Sequence, residues 1–115
     1  MTKLQSLKQD LQFKEILREK KLTSDYFSVY FMKNYNEKNK NEIINISFVA
    51  KKKVGNAVKR NKIKRKLRAA FEKNLRLNNV ISLNYKYLIF GKEKVYKDKF
   101  SLIFSDVNNV FKKIK

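Results

Sequence analysis

The 115-residue sequence contains no histidine, no cysteine, no tryptophan and no proline. Several of these absences exclude a class of chemistry. Without His or Cys there is no Ser–His or Cys–His nucleophile pair. No disulfide framework and no thiolate metal site can form. A zinc site would have to be built from carboxylates alone, against that ion's preference for nitrogen and sulfur. The 10 acidic residues are scattered, with no clustered pair of the kind a two-metal nuclease uses. No catalytic or metal-ligating residue stands out, so an enzymatic role would place the chemistry outside this chain. The N-terminal stretch MTKLQSLKQDLQ lacks the apolar segment of a signal peptide. No run approaches the length of a membrane span. The expectation is a soluble cytoplasmic protein with no membrane partner.

What the sequence has in excess is positive charge. Against those acids stand 29 Lys and Arg, a net of +19 and a pI near 10.2. Self-repulsion on this scale opposes compaction and favours a polyanionic partner, so the chain reads first as a nucleic-acid binder. Apolar residues, at 43%, supply a core for a single domain over 1–115. Lys far outnumbers Arg, and genome base composition alone could produce part of that excess. Placement decides the matter. Residues 51–68, KKKVGNAVKRNKIKRKLR, hold ten Lys or Arg, no acid, and three of the chain's five arginines, Arg60, Arg65 and Arg68. A bias toward Lys does not gather arginines in one place.

Hydrophobic spacing predicts the elements. Leu4, Leu7, Leu11, Phe13, Ile16 and Leu17 fit a helix over 4–22. Asp10 as a cap would instead begin a second helical stretch and leave the first residues as an extended arm. Residues 26–31 (YFSVYF) and 43–50 (IINISFVA) read as strands, and the polar segment 34–42 as the turn that joins them in a hairpin. A helix follows over 57–75, a loop at Asn78 and Asn79, and a third strand over 85–90 (YKYLIF) ended by Gly91. Phe100, Ile103, Phe104, Val107, Phe111 and Ile114 share one face of a terminal helix. A strand, a crossover helix and a further strand suggest a βαβ unit in an α+β sandwich.

The helix from residue 57 sorts its side chains into stripes. Ile63, Leu67, Ala70 and Phe71 (i, i+4, i+7, i+8) form an apolar stripe that packs on a sheet. Asn61, Lys64, Arg65 and Arg68 lie beside it, and Lys59, Lys62 and Lys66 make a third stripe. Like charges at i, i+4 disfavour an isolated helix by about a few tenths of a kcal/mol per pair, so stacking several needs an external reason. Phosphates supply one, because the planar Arg fork donates two parallel hydrogen bonds to paired phosphate oxygens. The backbone N–H groups of Lys51 to Asn56, just before the helix, are placed for a phosphate. Gly55 permits a close backbone approach or a positive φ there, or is an ordinary turn residue.

Residues 52–71, KKVGNAVKRNKIKRKLRAAF, resemble the signature of the bacterial ribonuclease P protein family over a long, ungapped and chemically mixed stretch. The resemblance implies a single α/β sandwich in the order αβββαβα, a central sheet with a basic crossover helix, of the ribosomal protein S5 domain 2-like type. It implies a subunit of the ribonucleoprotein endoribonuclease that removes the 5′ leader of precursor tRNA, with the catalytic centre and its Mg²⁺ in a large RNA. The implied partners are that ribonuclease P RNA and the single-stranded 5′ leader, with no obligate protein partner. The resemblance puts Lys52, Lys53, Arg60, Asn61, Lys64, Arg65 and Arg68 on the RNA, and the neighbouring stripe adds Lys59, Lys62 and Lys66. A leader cleft would use Phe13, Leu17 and Tyr30, with Phe48 and Lys51 at its edge. The sequence departs from the family pattern at Lys62, where Arg is usual, at Lys51, where Ser is common, and at Leu17, where Phe is common.

Three other readings compete. A ribosomal or ribosome-assembly protein fits size and charge equally well and would prefer ribosomal RNA fragments. A DNA-binding recognition helix conflicts with the strong apolar stripe. A protein-only nuclease lacks His and clustered carboxylates.

Overall fold

The computed structural model describes residues 3–7, 10–33, 43–78 and 80–114. The polar turn expected over 34–42, Asn79 and the Leu11 side chain lie outside the described residues. The strands are β1 (Lys3–Gln5), β2 (Lys20–Thr23), β3 (Phe27–Lys33), β4 (Ile43–Val49) and β5 (Tyr85–Gly91). They form one mixed sheet in the order β1-β4-β5-β3-β2. The helices are α1 (Asp10–Ile16), α2 (Ala57–Leu77), α3 (Lys94–Lys97) and α4 (Phe100–Phe111), with a 3-10 turn at Lys52–Val54.

Period-two alternation divides β3, β4 and β5 between two cores. Phe27, Val29, Phe31, Ile44, Ile46, Tyr87 and Ile89 face the main core, beneath α2 and α4. Leu88 joins Leu7 and Ile16 in a second cluster on the opposite face, with Phe13, Tyr30, Met32, Val49 and Phe90 packed around it. The result is a three-layer arrangement with α1 on one side of the sheet and α2, α3 and α4 on the other.

The hairpin expected between 26–31 and 43–50 does not form. β5 lies between those strands, antiparallel to β3 from Phe27↔Gly91 to Lys33↔Tyr85 and parallel to β4 from Ile46↔Tyr87 to Val49↔Phe90. The reason is burial: β5 is apolar on both faces, so it takes the central position that both layers cover. The β4–α2–β5 segment is the expected βαβ unit, with two parallel neighbours joined by the basic helix.

The N-terminal helix expected over 4–22 is also corrected. Among its described residues, only Asp10–Ile16 is helical. The extended arm is the alternative that forms, as β1 beside β4, with Leu7 N donating to Ser47 Oγ at 3.0 Å. Residues 20–23 pair with β3 as an edge strand. Leucine spacing favours a helix here, but sheet edges offer backbone partners that a longer helix would leave unused, and tertiary pairing overrides local propensity. The αβββαβα order thus gains a strand at its start and a short helix, α3, before the last.

Two contacts seat α2. Its buried residues are Ile63, Leu67, Ala70, Phe71 and Asn74. Gly91 lies so close that a Cβ there would meet Ile63 Cγ2 at 2.5 Å and Leu67 Cδ1 at 2.8 Å. Phe71 packs edge-on against Phe111 at 5.3 Å between ring centres, and Asn74 Nδ2 donates to Phe104 O at 3.2 Å, which ties α2 to α4.

Candidate nucleic-acid interface

The basic helix starts from a defined cap. Asn56 Oδ1 accepts from Lys59 N at 2.9 Å, satisfying one free N–H of the first turn. Gly55 before it has φ +150°, and a Cβ there would meet the Lys59 side chain at 2.6 Å. The structure gives Gly55 the positive φ.

Anchoring the apolar stripe leaves the cations outward. Lys52, Lys53, Asn61, Lys62, Arg65 and Arg68 are exposed, and Lys59, Arg60, Lys64 and Lys66 are half-buried. Lys59 and Lys66 make hydrogen bonds to other parts of the chain. Lys59 Nζ donates to Glu93, holding that carboxyl below the usual range chiefly through this hydrogen bond, and Lys66 Nζ donates to Asp98 O. They fasten α3 to α2. Lys64, Arg65 and Arg68 line a groove of about 330 Å³ with Ser6, Ser47 and Phe48, where β4 runs on past the end of β1. The Arg68 guanidinium lies 5.6 Å from the Phe48 ring centre, which itself packs edge-on against Phe71 at 6.0 Å.

Phe48 therefore does not join Phe13 and Tyr30. The sequence places it at the edge of their cleft, but alternation along β4 puts it with Ile44 and Ile46 on the α2 side, while Val49 joins the cluster on the α1 side. Phe13 and Tyr30 are brought together, half-buried around the Leu7–Ile16–Leu88 cluster. Leu17 follows the last turn of α1, its N–H donating to Phe13 O at 3.1 Å, and is 45% exposed. Lys51 reaches this side too, its Nζ 5.0 Å from the centre of the Phe90 ring.

Phe90 is the residue that sequence reasoning missed. It meets Tyr30 edge-on at 5.7 Å, and Lys21 Nζ lies 5.5 Å from the Tyr30 ring centre. Alternation from Leu88 could have found Phe90, because i and i+2 share a strand face. The β2 lysine had no such signal. The α1 side thus carries three aromatic rings flanked by two ammonium groups, a surface suited to stacking unpaired bases and drawing in their phosphates. Among the described residues, no three His, Cys, Asp or Glu gather where they could hold a metal ion.

The comparisons with known proteins agree with this architecture. A family model described as Ribonuclease P matches residues 1–115. The ribonuclease P protein component of Fusobacterium nucleatum is 38% identical, covering 97% of this chain and 98% of its own. That of Carboxydothermus hydrogenoformans is 29% identical, covering 100% of this chain and 95% of its own. The solved structure of the RNase P protein from Thermotoga maritima is similar with a TM-score of 0.77 and 28% identity, over 96% of this chain and 98% of that one. The Staphylococcus aureus RNase P protein, 21% identical, shares the fold at a TM-score of 0.72 over 96% of this chain and 94% of its own. A capped cationic helix on a five-stranded sheet, a match along every residue and a relative alike over nearly its full length lead to one assignment: the chain belongs to the ribonuclease P protein family.

Proposed function

We propose that α2 docks this chain on ribonuclease P RNA while the aromatic surface beside α1 holds the single-stranded 5′ leader of precursor tRNA. Family membership makes the chain a protein subunit of ribonuclease P, an RNA-binding component of tRNA processing. The finer reading rests on one observation. The exposed cations of α2 and the Phe13–Tyr30–Phe90 surface lie on opposite faces of one sheet, so two RNA segments can be held at once.

On the α2 side, Arg65 and Arg68 offer planar forks to phosphate, and Lys52, Lys53, Lys62 and Lys64 add point charges. Arg60 and Asn61 extend the stripe, while Lys59 and Lys66 hold the helix in place. On the α1 side, Phe13, Tyr30 and Phe90 stack bases without reading sequence, and Lys51 and Lys21 meet the backbone. Mg²⁺ requires a shell of oxygen ligands. In this reading the ion and the bond cleavage belong to the RNA. The site of action is the cytoplasm, where precursor tRNA is made.

The test is cleavage of a precursor tRNA by a bacterial ribonuclease P RNA, with and without this protein, at a few millimolar Mg²⁺. Protein-dependent release of the 5′ leader at the mature end is expected. Tight RNA binding with no stimulation would overturn the leader-holding role.

A further inference from the structure

We propose that the groove between α2 and the α3–α4 corner is an additional RNA contact, taking one unpaired nucleotide with its base on Tyr96 and its phosphate on Lys62 and Arg65. The inference rests on the docking role of α2 proposed above and extends it to an element outside the family signature. The groove encloses about 530 Å³ and is lined by Lys62, Arg65, Lys66 and Ala69 of α2, with Tyr96 of α3 and Phe100 of α4 opposite. That volume lies within the range of small-ligand sites, about 300–1,000 Å³.

Tyr96 sits on a helix of four residues and is 42% exposed. One exposed aromatic means little by itself. This one forms a wall of a cationic groove, with Lys59 Nζ 5.1 Å and Lys62 Nζ 5.9 Å from its ring centre. The charges there divide into two sets. Lys59 is engaged by Glu93, and Lys66 by Asp98 O. The nearby carboxylates are engaged as well: Glu93 also faces Lys97 at 3.8 Å, and Asp98 Oδ2 accepts from Tyr26 Oη at 2.6 Å. Lys62 and Arg65 remain exposed on the opposite wall.

A ring on one wall and a guanidinium and an ammonium on the other match a nucleotide, which presents a flat base and an anionic phosphate. Arg65 also lines the groove on the far side of α2, with Lys64, Arg68 and Phe48. It therefore straddles the ridge of the helix. A strand docked along the Lys64–Arg68 stripe passes over Arg65 and can turn one base down onto Tyr96.

The absence of Trp provides a direct probe. Tyr96→Trp introduces a single indole, read against a transcribed bacterial ribonuclease P RNA. Its emission is expected to be quenched as the RNA saturates the protein. Tyr96→Leu should weaken RNA binding about tenfold with an unchanged salt slope, because a stacking contact is lost and no phosphate contact is. Tyr96→Phe should retain the affinity. Unchanged emission at saturation, or Tyr96→Leu binding as tightly as the original chain, would overturn the proposal. Arg68→Ala separates the two levels of the argument. If it weakens binding and the Tyr96 variants do not, only this groove is wrong. If none of them weakens binding, docking through α2 is itself wrong.

Discussion

Tyr26 donates its phenol proton to Asp98 Oδ2 at 2.6 Å, across 72 residues of sequence. That hydrogen bond, then burial and the neighbouring carboxylates, pushes the phenol up to about 12. In the unfolded chain it titrates near 10. The folded pKa is the higher one, so the stability it contributes is fully present below about pH 10 and is lost as pH rises from there toward 12. Tyr26→Phe should be less stable than the original chain at neutral pH, and the gap should narrow above pH 10. Urea midpoints of both proteins at several alkaline pH values check this, because lysine titration affects both alike. A gap that persists through pH 12 would remove the phenol as its source. At this scale the sequence was partly legible. Ile63, Leu67, Ala70 and Phe71 lie in the core as spacing predicts. Asn74 continues the same stripe, yet its polar type concealed that it would be buried, with Nδ2 donating to Ala70 O at 2.9 Å and to Phe104 O. Phe48 needed knowledge of which strand face each core occupies.

At the scale of elements, the long signals were legible and the pairings were not. The interior of α2, the β3, β4 and β5 segments and the apolar face of α4 all follow from local periodicity. The placement of β5 between β3 and β4 depends on comparing how apolar the three strands are on both faces, which no turn signal encodes. β1 and β2 are short edge strands of three and four residues, held by backbone pairing and by one partly buried leucine each, Leu4 and Leu22, on the main core. Gly91 shows how one residue joins two elements. It reads as a strand terminator, but its missing Cβ is what lets α2 approach β5. Gly91→Ala should force Ile63 and Leu67 apart from the strand and destabilise the chain by about 1–3 kcal/mol, the usual range for overpacking. Chemical denaturation measures this. A variant as stable as the original would mean that α2 can shift without cost.

For the whole molecule, the question is whether the two faces of the sheet act separately. A net charge of +19 attracts any polyanion, so affinity alone cannot distinguish docking on the catalytic RNA from holding a leader. The sheet makes the distinction testable, because Arg68 and Phe13 lie on opposite sides of it. Arg68→Ala should weaken binding to ribonuclease P RNA and lower the salt slope by under about one unit, as expected for one lost phosphate contact. It should not change the preference of the holoenzyme for precursor over mature tRNA. Phe13→Ala should do the reverse. Removing one stacking ring should cost about 1–3 kcal/mol of affinity for precursor tRNA, little for mature tRNA, and leave the salt slope for the catalytic RNA intact. Phe13 is half-buried against Leu7, Ile16 and Leu88, so a general loss of packing is the competing outcome. Such a loss would lower the affinities for precursor and mature tRNA alike. Unequal losses, with the catalytic RNA still bound, require that the ring touches the one segment mature tRNA lacks, and that segment is the leader.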